Sequence, residues 1–447
     1  MNVPQPRRRQ GWPDVVTVLS VFLFLLLAVP SPMVITAMGQ VGGPSTLLAF
    51  LCFLWWAWHQ VARTSPEPGV PQWVRNAALL MMVCALASYA RSAALPLPSD
   101  ERSPADAELI RIIGAAGLVC VLATGVTDRD RLWTLVRRWA LMAGALATLA
   151  LVQVITQQVW VDRLSVPGLS RALNLALVQR GLITRPSGTS THPIEFAAVM
   201  SMAMPLVFAA AARERRHPRL FRIMSLAVPL VVLMTGSRTA IVCGGVAFLV
   251  MMVSWSSRKR LVAVGLALLM AVALFVALPG FLGTIRSMFS GASNDPSVRS
   301  RTNSYRIAEL YWGHHQWLGR GWGTFLPKYW VFDNQYLNLL VAGGVIGLLS
   351  LIVLLVMAVR SAVAARSLLA DPLERELATA ALAGTLAGAF ALATFDVFAF
   401  QQASYTFFML IGLCGATLRF AVLAPAGAPQ TAQPHLTAGG AHGRGSA

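Results

Sequence analysis

Charge is scarce in this chain of 447 residues: charged side chains make up 12%, about half of the roughly 25% of a soluble domain. Hydrophobic residues supply 56%, which excludes an ordinary soluble protein and points to one embedded in a bilayer. Lysine is scarcer still. Lys259 and Lys328 are the two lysines among 36 basic residues, so arginine carries the net charge of +18. In a soluble protein that excess would suggest nucleic acid; here its placement matters more than its size, and no nucleic-acid partner is expected. The five cysteines, Cys52, Cys84, Cys120, Cys243 and Cys414, lie in apolar stretches without metal-ligand spacing and read as small buried apolar residues. No internal repeat is visible, which weighs against a transporter built of two equal halves.

What the sequence does have is a series of apolar runs of about 17 to 25 residues, long enough to span a bilayer. They lie near 14–36, 44–61, 76–94, 109–127, 138–159, 193–212, 221–236, 238–255, 261–283, 334–358, 377–396 and 404–421. The expected fold is therefore an all-α polytopic membrane protein of about twelve helices, with a large, partly helical external loop between the ninth and tenth. Residues 1–421 form one membrane domain, in which loops 160–192 and 284–333 make the site, and 422–447 read as a disordered cytoplasmic tail. The PRRR stretch before the first run opens an uncleaved anchor.

Arginine placement sets the orientation. With the N-terminus inside, every inner segment is basic, so both termini are expected in the cytoplasm and the protein in the plasma or inner membrane. The outer stretch LPLPSDERSPADAE is acidic, as a translocated loop should be. Two outer loops are instead basic: one carries Arg163, Arg171, Arg180 and Arg185, the other Arg286, Arg299, Arg301, Arg306, Arg320 and Lys328. Something anionic is expected there. In the first loop Leu169, Leu173 and Leu177 recur at helical spacing among basic residues, which suits a helix lying on the membrane surface or packed on the bundle.

The polar constellations fall at the same expected face. Thr184 to Pro193, TRPSGTSTHP, supplies Ser, Thr, Gly, Arg and His192 just before a helix start, either as an anion cradle or as a capped helix entry. Phe221 to Thr235 is too short for a full crossing, so the seventh and eighth runs form a hairpin whose tip, Gly236-Ser237-Arg238-Thr239, stops at outer-leaflet depth. An arginine there either serves a site or snorkels, or pairs with Asp396 or Glu195. A helix through Ser297–Gln316 would put Arg299, Asn303, Arg306 and Leu310 on one face, where paired guanidiniums suit phosphate oxygens. LGRGWGTF alternates Gly319, Gly321 and Gly323 around Trp322, which stacks on a sugar or packs on the membrane domain. Asp333, Asn334 and Tyr336 stand at the mouth of the tenth run, where Asp333 reads as a helix cap or a carboxylate base. His314 and His315 are further candidate bases.

Taken in order, RPSGTSTHPIEF, TGSRTA, RIAELYW, GRGWGTF and DNQYLNLLVAGG resemble the O-antigen ligase and polysaccharide polymerase superfamily. The resemblance covers about the second half of the chain. It implies a helical membrane glycosyltransferase that takes glycan from a polyprenyl-pyrophosphate carrier at the external face, needing no nucleotide sugar and no metal or other cofactor. It further implies outer-face arginines that hold the pyrophosphate, by position Arg238 and Arg306 with Arg185 as a third, and contacts from His192, Arg299, Arg301, Trp322, Asn334 and Tyr336 to substrate. Ligases carry histidine where this chain has Asp333, and the D-N-x-Y-L form is closer to exopolysaccharide polymerases. Many relatives have glutamate where this chain has Ala342. A polymerase is thus expected ahead of a ligase, with a glycan or lipid acceptor, the bilayer, and chain-length or flippase proteins as partners; a lipid-linked glycan flippase is the rival from another class.

Overall fold

Residues 14–64, 69–172, 178–180, 183–277 and 296–423 are described by a computed structural model, and they are helical almost throughout. The helices are α1 (Val15–Ala28), α2 (Pro44–Val61), α3 (Trp73–Ala93), α4 (Ser99–Gly125), α5 (Arg129–Thr156), α6 (Pro193–Arg213), α7 (Pro218–Met234), α8 (Arg238–Met252), α9 (Ser257–Ala277), α10 (Pro296–His314), α11 (Gln335–Leu368), α12 (Pro372–Leu392) and α13 (Gln401–Leu423). Each expected apolar run meets one of them, and α10 occupies the stretch expected to be helical in the large loop. Among the described residues α3, α4, α5, α6, α11 and α13 are long and apolar enough to cross a bilayer, whereas α1 and α8 are apolar but shorter. The basic N-terminal stretch, residues 278–295 of the large loop and the expected tail beyond Leu423 lie outside the described residues.

Three stretches differ from the sequence expectation, each for a local reason. Helix α1 stops at Ala28, well short of residue 36, because Pro30 and Pro32 follow; Met33–Ile35 then pairs antiparallel with Leu169–Arg171 as strands β1 and β2. That pairing replaces the expected surface helix: Gly168 takes a positive φ of 84° after Pro167, and the chain goes on as an extended strand. A second hairpin pairs β3 (Val178–Arg180) with β4 (Ile183–Arg185); Leu173 and Leu177 lie outside the described residues. Finally, the acidic stretch expected as an outer loop is the beginning of α4, where Asp100 and Glu101 occupy the first turn and suit its positive end.

Helix α6 is the hub, in contact with α5, α7, α8, α12 and α13. Its sequence of alanine, methionine and serine permits close helix approach, and α12 comes so near that a Cβ on Gly384 would lie 2.6 Å from the Met202 carbonyl. Acidic and basic side chains tie one end of the bundle together: Arg213 to Asp130 at 2.7 Å, Arg137 to Glu214 at 2.7 Å, and Lys259 to Glu376 at 3.6 Å. The polar motifs gather at the opposite end.

Candidate functional site

The tip of the α7–α8 hairpin is three residues long. Thr235 closes α7, Gly236 turns with φ 56°, and Ser237 starts α8, so that Arg238 stands in the first turn. Arg185, the last residue of β4, reaches this tip and donates from Nε to the Thr235 carbonyl at 2.7 Å, with Arg185 itself 7% exposed. Two arginines far apart in sequence therefore flank one helix N-terminus, where backbone N–H groups already favour an anion. Of the acids the sequence offered as partners for Arg238, Asp396 accepts from Asn338 Nδ2 at 2.6 Å, and Glu195 accepts from the backbone of Thr191 and Gln402, each at 2.8 Å.

The loop that carries Arg185 is clamped by buried side chains. Gln153, fully buried near the end of α5, accepts from Gly188 N–H and donates to Gly188 C=O, both at 2.9 Å. Gly188 must be glycine, since its φ is 57° and a Cβ would lie 2.8 Å from the Phe196 ring. Thr189 donates to Leu27 C=O at 2.7 Å and Ser190 to Gln402 at 2.5 Å. His192 caps α6 by accepting from Ile194 N–H at Nδ1, 3.1 Å, which in the neutral ring places the proton on Nε2. Burial and then the charge of Arg185 lower its pKa, so the ring stays neutral.

The LGRGWGTF loop is seated in a break of α11. At Gly344, φ 65°, the helix kinks, and the loop supplies what the kink leaves unmade: Arg320 N–H donates to Val341 C=O at 2.8 Å, Gly321 N–H to Ala342 C=O at 3.0 Å, and Val345 N–H to Gln316 C=O at 2.9 Å. Gly319 and Gly321 are required by contact, with Cβ positions 2.4 Å from Ala342 and 2.3 Å from Ser92. Trp322 is 4% exposed and belongs to the main core, with its ring 3.4 Å from the Cβ position of Gly343. Here it is a packing residue and presents no face to a sugar. Two cations of the basic loop are matched inside the protein: Arg320 pairs with Glu101 at 2.7 Å and lies 4.7 Å over the Tyr329 ring, and Lys328 pairs with Asp100. His315 accepts from Arg91 at 3.0 Å.

At the head of α11 the cap is Asn334, whose side chain accepts from Tyr336 and Leu337 N–H at 3.0 and 3.3 Å. Asp333 precedes it with φ 49° and is not the cap. Tyr336 donates through its hydroxyl to Ala389 C=O at 2.9 Å, joining α11 to α12. One turn along, Asn338 holds Asp396, a carboxyl the sequence reading considered only as a counterion. Desolvation, followed by the nearby Glu108 carboxylate, pushes Asp396 up to about 7, with Asp333 a further acidic neighbour. The signal available in sequence was an isolated acid in an apolar stretch near the outer end of a run.

The α12–α13 connection joins the carboxyl group of residues to the arginine group: Asp396 bonds Asn338, Phe398 N–H donates to Gln335 at 2.7 Å, and Gln402 meets Thr189, Ser190 and Glu195. Arg306 stands exposed on α10, which packs against α11 and buries Ser304 and Ala308 on its other face. Asn303 and Leu310 are exposed with it, as their spacing requires. The side chains of Arg299 and Arg301 lie outside the described residues.

No curated protein matches the chain. Residues 223–352, which run from α7 into α11 and include Arg238, Arg306 and Asp333 but not Arg185, match the family described as O-antigen ligase, and this match supports placing the chain in the O-antigen ligase and polymerase superfamily.

Proposed function

We propose that the protein is a membrane glycosyltransferase that takes glycan from a polyprenyl-pyrophosphate carrier at the external face and polymerises repeat units of a surface or exopolysaccharide. The observation that carries this reading is the bond from Arg185 to Thr235, which sets a second guanidinium beside Arg238 at a helix N-terminus. Planar guanidiniums suit the oxygens of a diphosphate. In the reaction an acceptor hydroxyl oxygen bonds to the anomeric carbon, the bond from that carbon to the phosphate oxygen breaks, and the pyrophosphate leaves with the electron pair. Its charge rises as it leaves, so fixed cations in a poorly hydrated site stabilise the transition state more than the ground state. Asp333 receives the hydroxyl proton, and Arg306 on α10 lies along the path of the donor. In this arrangement the twelve apolar helices lie in the membrane, α7 and α8 as a hairpin whose tip stops at outer-leaflet depth, and both termini are cytoplasmic.

Arg185→Ala and Arg238→Ala are each expected to cut transfer by about 10²–10³-fold, the cost of removing one oxyanion donor, while the protein still accumulates in the membrane. Polymer of normal length in both variants would overturn the assignment. The family description favours a second reading, transfer of the finished glycan to a lipid or protein acceptor. A deletion strain separates the two: single lipid-linked repeat units accumulate on the outer leaflet when a polymerase is lost, and full-length lipid-linked polymer accumulates when a ligase is lost.

A further inference from the structure

Two tryptophans of the large loop have opposite surroundings. Trp322 is 4% exposed and fills the core, whereas Trp317, one short turn earlier, is 69% exposed. A loose loop would account for that, but the backbone at Trp317 is fixed. Its carbonyl accepts from Ile346 N–H at 3.1 Å, the Gln316 carbonyl accepts from Val345 N–H at 2.9 Å, and a Cβ on Gly344 would lie 2.3 Å from the Trp317 oxygen. The chain is pressed into the break of α11 while the indole is turned outward, where little of the protein covers it.

What the ring meets is set by α11. From the break onward this helix exposes Ile346, Leu349, Ile352, Val356 and Val363, an apolar stripe at helical spacing on a helix long and apolar enough to cross a bilayer. From Ile346 to Val363 the stripe measures about 26 Å at about 1.5 Å per residue, close to a hydrocarbon core of about 30 Å. Trp317 stands at one end of it, bonded through its backbone to the first residue of the stripe. Near the other end Arg360 lies 4.2 Å over the Trp73 ring. Tryptophans gather where a bilayer meets water, and here two of them bracket one lipid-facing stripe.

We propose that the Trp317 indole inserts into the headgroup region of the leaflet at this end of the bundle and holds the large loop on the membrane surface. The partner is a phospholipid surface, and continuity decides it: the ring stands at the head of the face that α11 turns to lipid. The anchor reaches α10 as well. That helix ends at His314, and Trp312 on its last turn donates from Nε1 to the Gln316 carbonyl at 3.1 Å, so the depth of Trp317 sets the depth of α10 and of Arg306 on it. The inference stands on exposure and on α11, and does not need the pyrophosphate reading of the hairpin tip.

The test is fluorescence quenching of the full-length protein in nanodiscs, with phospholipids brominated either near the headgroup or near the chain ends. Subtracting the emission of Trp317→Phe from that of the parent isolates the Trp317 signal, and the same subtraction with Trp322→Phe gives a buried ring as control. The Trp317 signal should be quenched at least about twofold more by the shallow bromines than by the deep ones, and the Trp322 signal by neither. A Trp317 signal that neither bromine quenches overturns the proposal, and a response to added soluble oligosaccharide in its place identifies a sugar platform. Stronger quenching by the deep bromines overturns it too, since the ring would then lie in the hydrocarbon core. Hydrogen exchange gives a second reading: in a peptide covering residues 303–316 it should rise at least about fivefold in Trp317→Ala and stay at the parent's level in Trp317→Tyr, because tyrosine also seats at the interface. Equal exchange in all three proteins would remove the anchor on α10.

Discussion

Replacing Gln153 by leucine should loosen the loop that carries Arg185 while leaving the membrane bundle intact. The side chain is fully buried and makes both hydrogen bonds of the Gly188 peptide, each 2.9 Å long. Leucine fills nearly the same volume, so cavity formation adds little, but it can neither accept from Gly188 N–H nor donate to Gly188 C=O. A buried polar group left without a partner costs about 1–3 kcal/mol, so two of them cost about 2–6 kcal/mol in the closed loop. At about 1.4 kcal/mol per factor of ten, the open population of the segment rises by a factor of about 25 or more. Hydrogen exchange followed by mass spectrometry reads that population in a peptide covering residues 184–192. Gln153→Glu is the informative partner, because its carboxylate still accepts from Gly188 N–H but turns an oxygen toward Gly188 C=O; it should fall between the parent and Gln153→Leu. Exchange in that peptide equal to the parent's in both variants would refute the clamp, and with it the claim that the buried glutamine positions Arg185.

Three further outcomes follow from the same contacts. Trp322→Ala should cost about 3–5 kcal/mol of stability, as for a buried aromatic truncated in a core, with the KM for donor unchanged in the protein that remains folded; a raised KM at unchanged thermal stability would return the ring to the glycan path. Asp333→Asn keeps the side-chain shape and a residue type that tolerates φ 49°, so the protein should still accumulate in the membrane while transfer is lost; retained transfer excludes the carboxylate as base. Asp396 has a folded value of about 7, above its ordinary 3.8, so the stability linked to its protonation is complete below 3.8 and is lost as pH rises through about 7. Thermal unfolding should therefore show falling stability between about pH 4 and about pH 7 in the parent and a flatter profile in Asp396→Asn; parallel profiles would remove Asp396 as the titrating group.

Helices were legible in this chain because a bilayer demands long apolar runs, and each run met a helix, although several helix ends lie well away from the run's. What escaped sequence reading depended on bonds between distant segments. Nothing local says that Leu169–Arg171 pairs with Met33–Ile35, since its leucine spacing suits a helix and the partner strand lies before α2. The acidic start of α4 looked like a translocated loop for a similar reason: its meaning lies in Arg320 and Lys328, more than two hundred residues away, which it neutralises. The basicity of the large loop was accordingly overstated as a sign of an anionic partner, by those two cations at least. The alternating glycines of LGRGWGTF were visible as a motif, but their cause, a loop pressed into the Gly344 kink, needed coordinates.

Of the candidate side chains, several have structural work that explains their presence without substrate. His192 and Asn334 cap helices, Tyr336 ties α11 to α12, and Trp322 fills the core. A capping residue answers to the N–H groups of its own helix, and its identity is accounted for by them. Arg185 differs in kind: a carbonyl acceptor at the end of α7 asks for one neutral donor, and here a guanidinium at 7% exposure supplies it. A planar guanidinium fixed at that carbonyl through its Nε suits the diphosphate of the proposed reaction, and transfer by Arg185→Ala decides between that role and a purely structural tie from the loop to the α7–α8 hairpin.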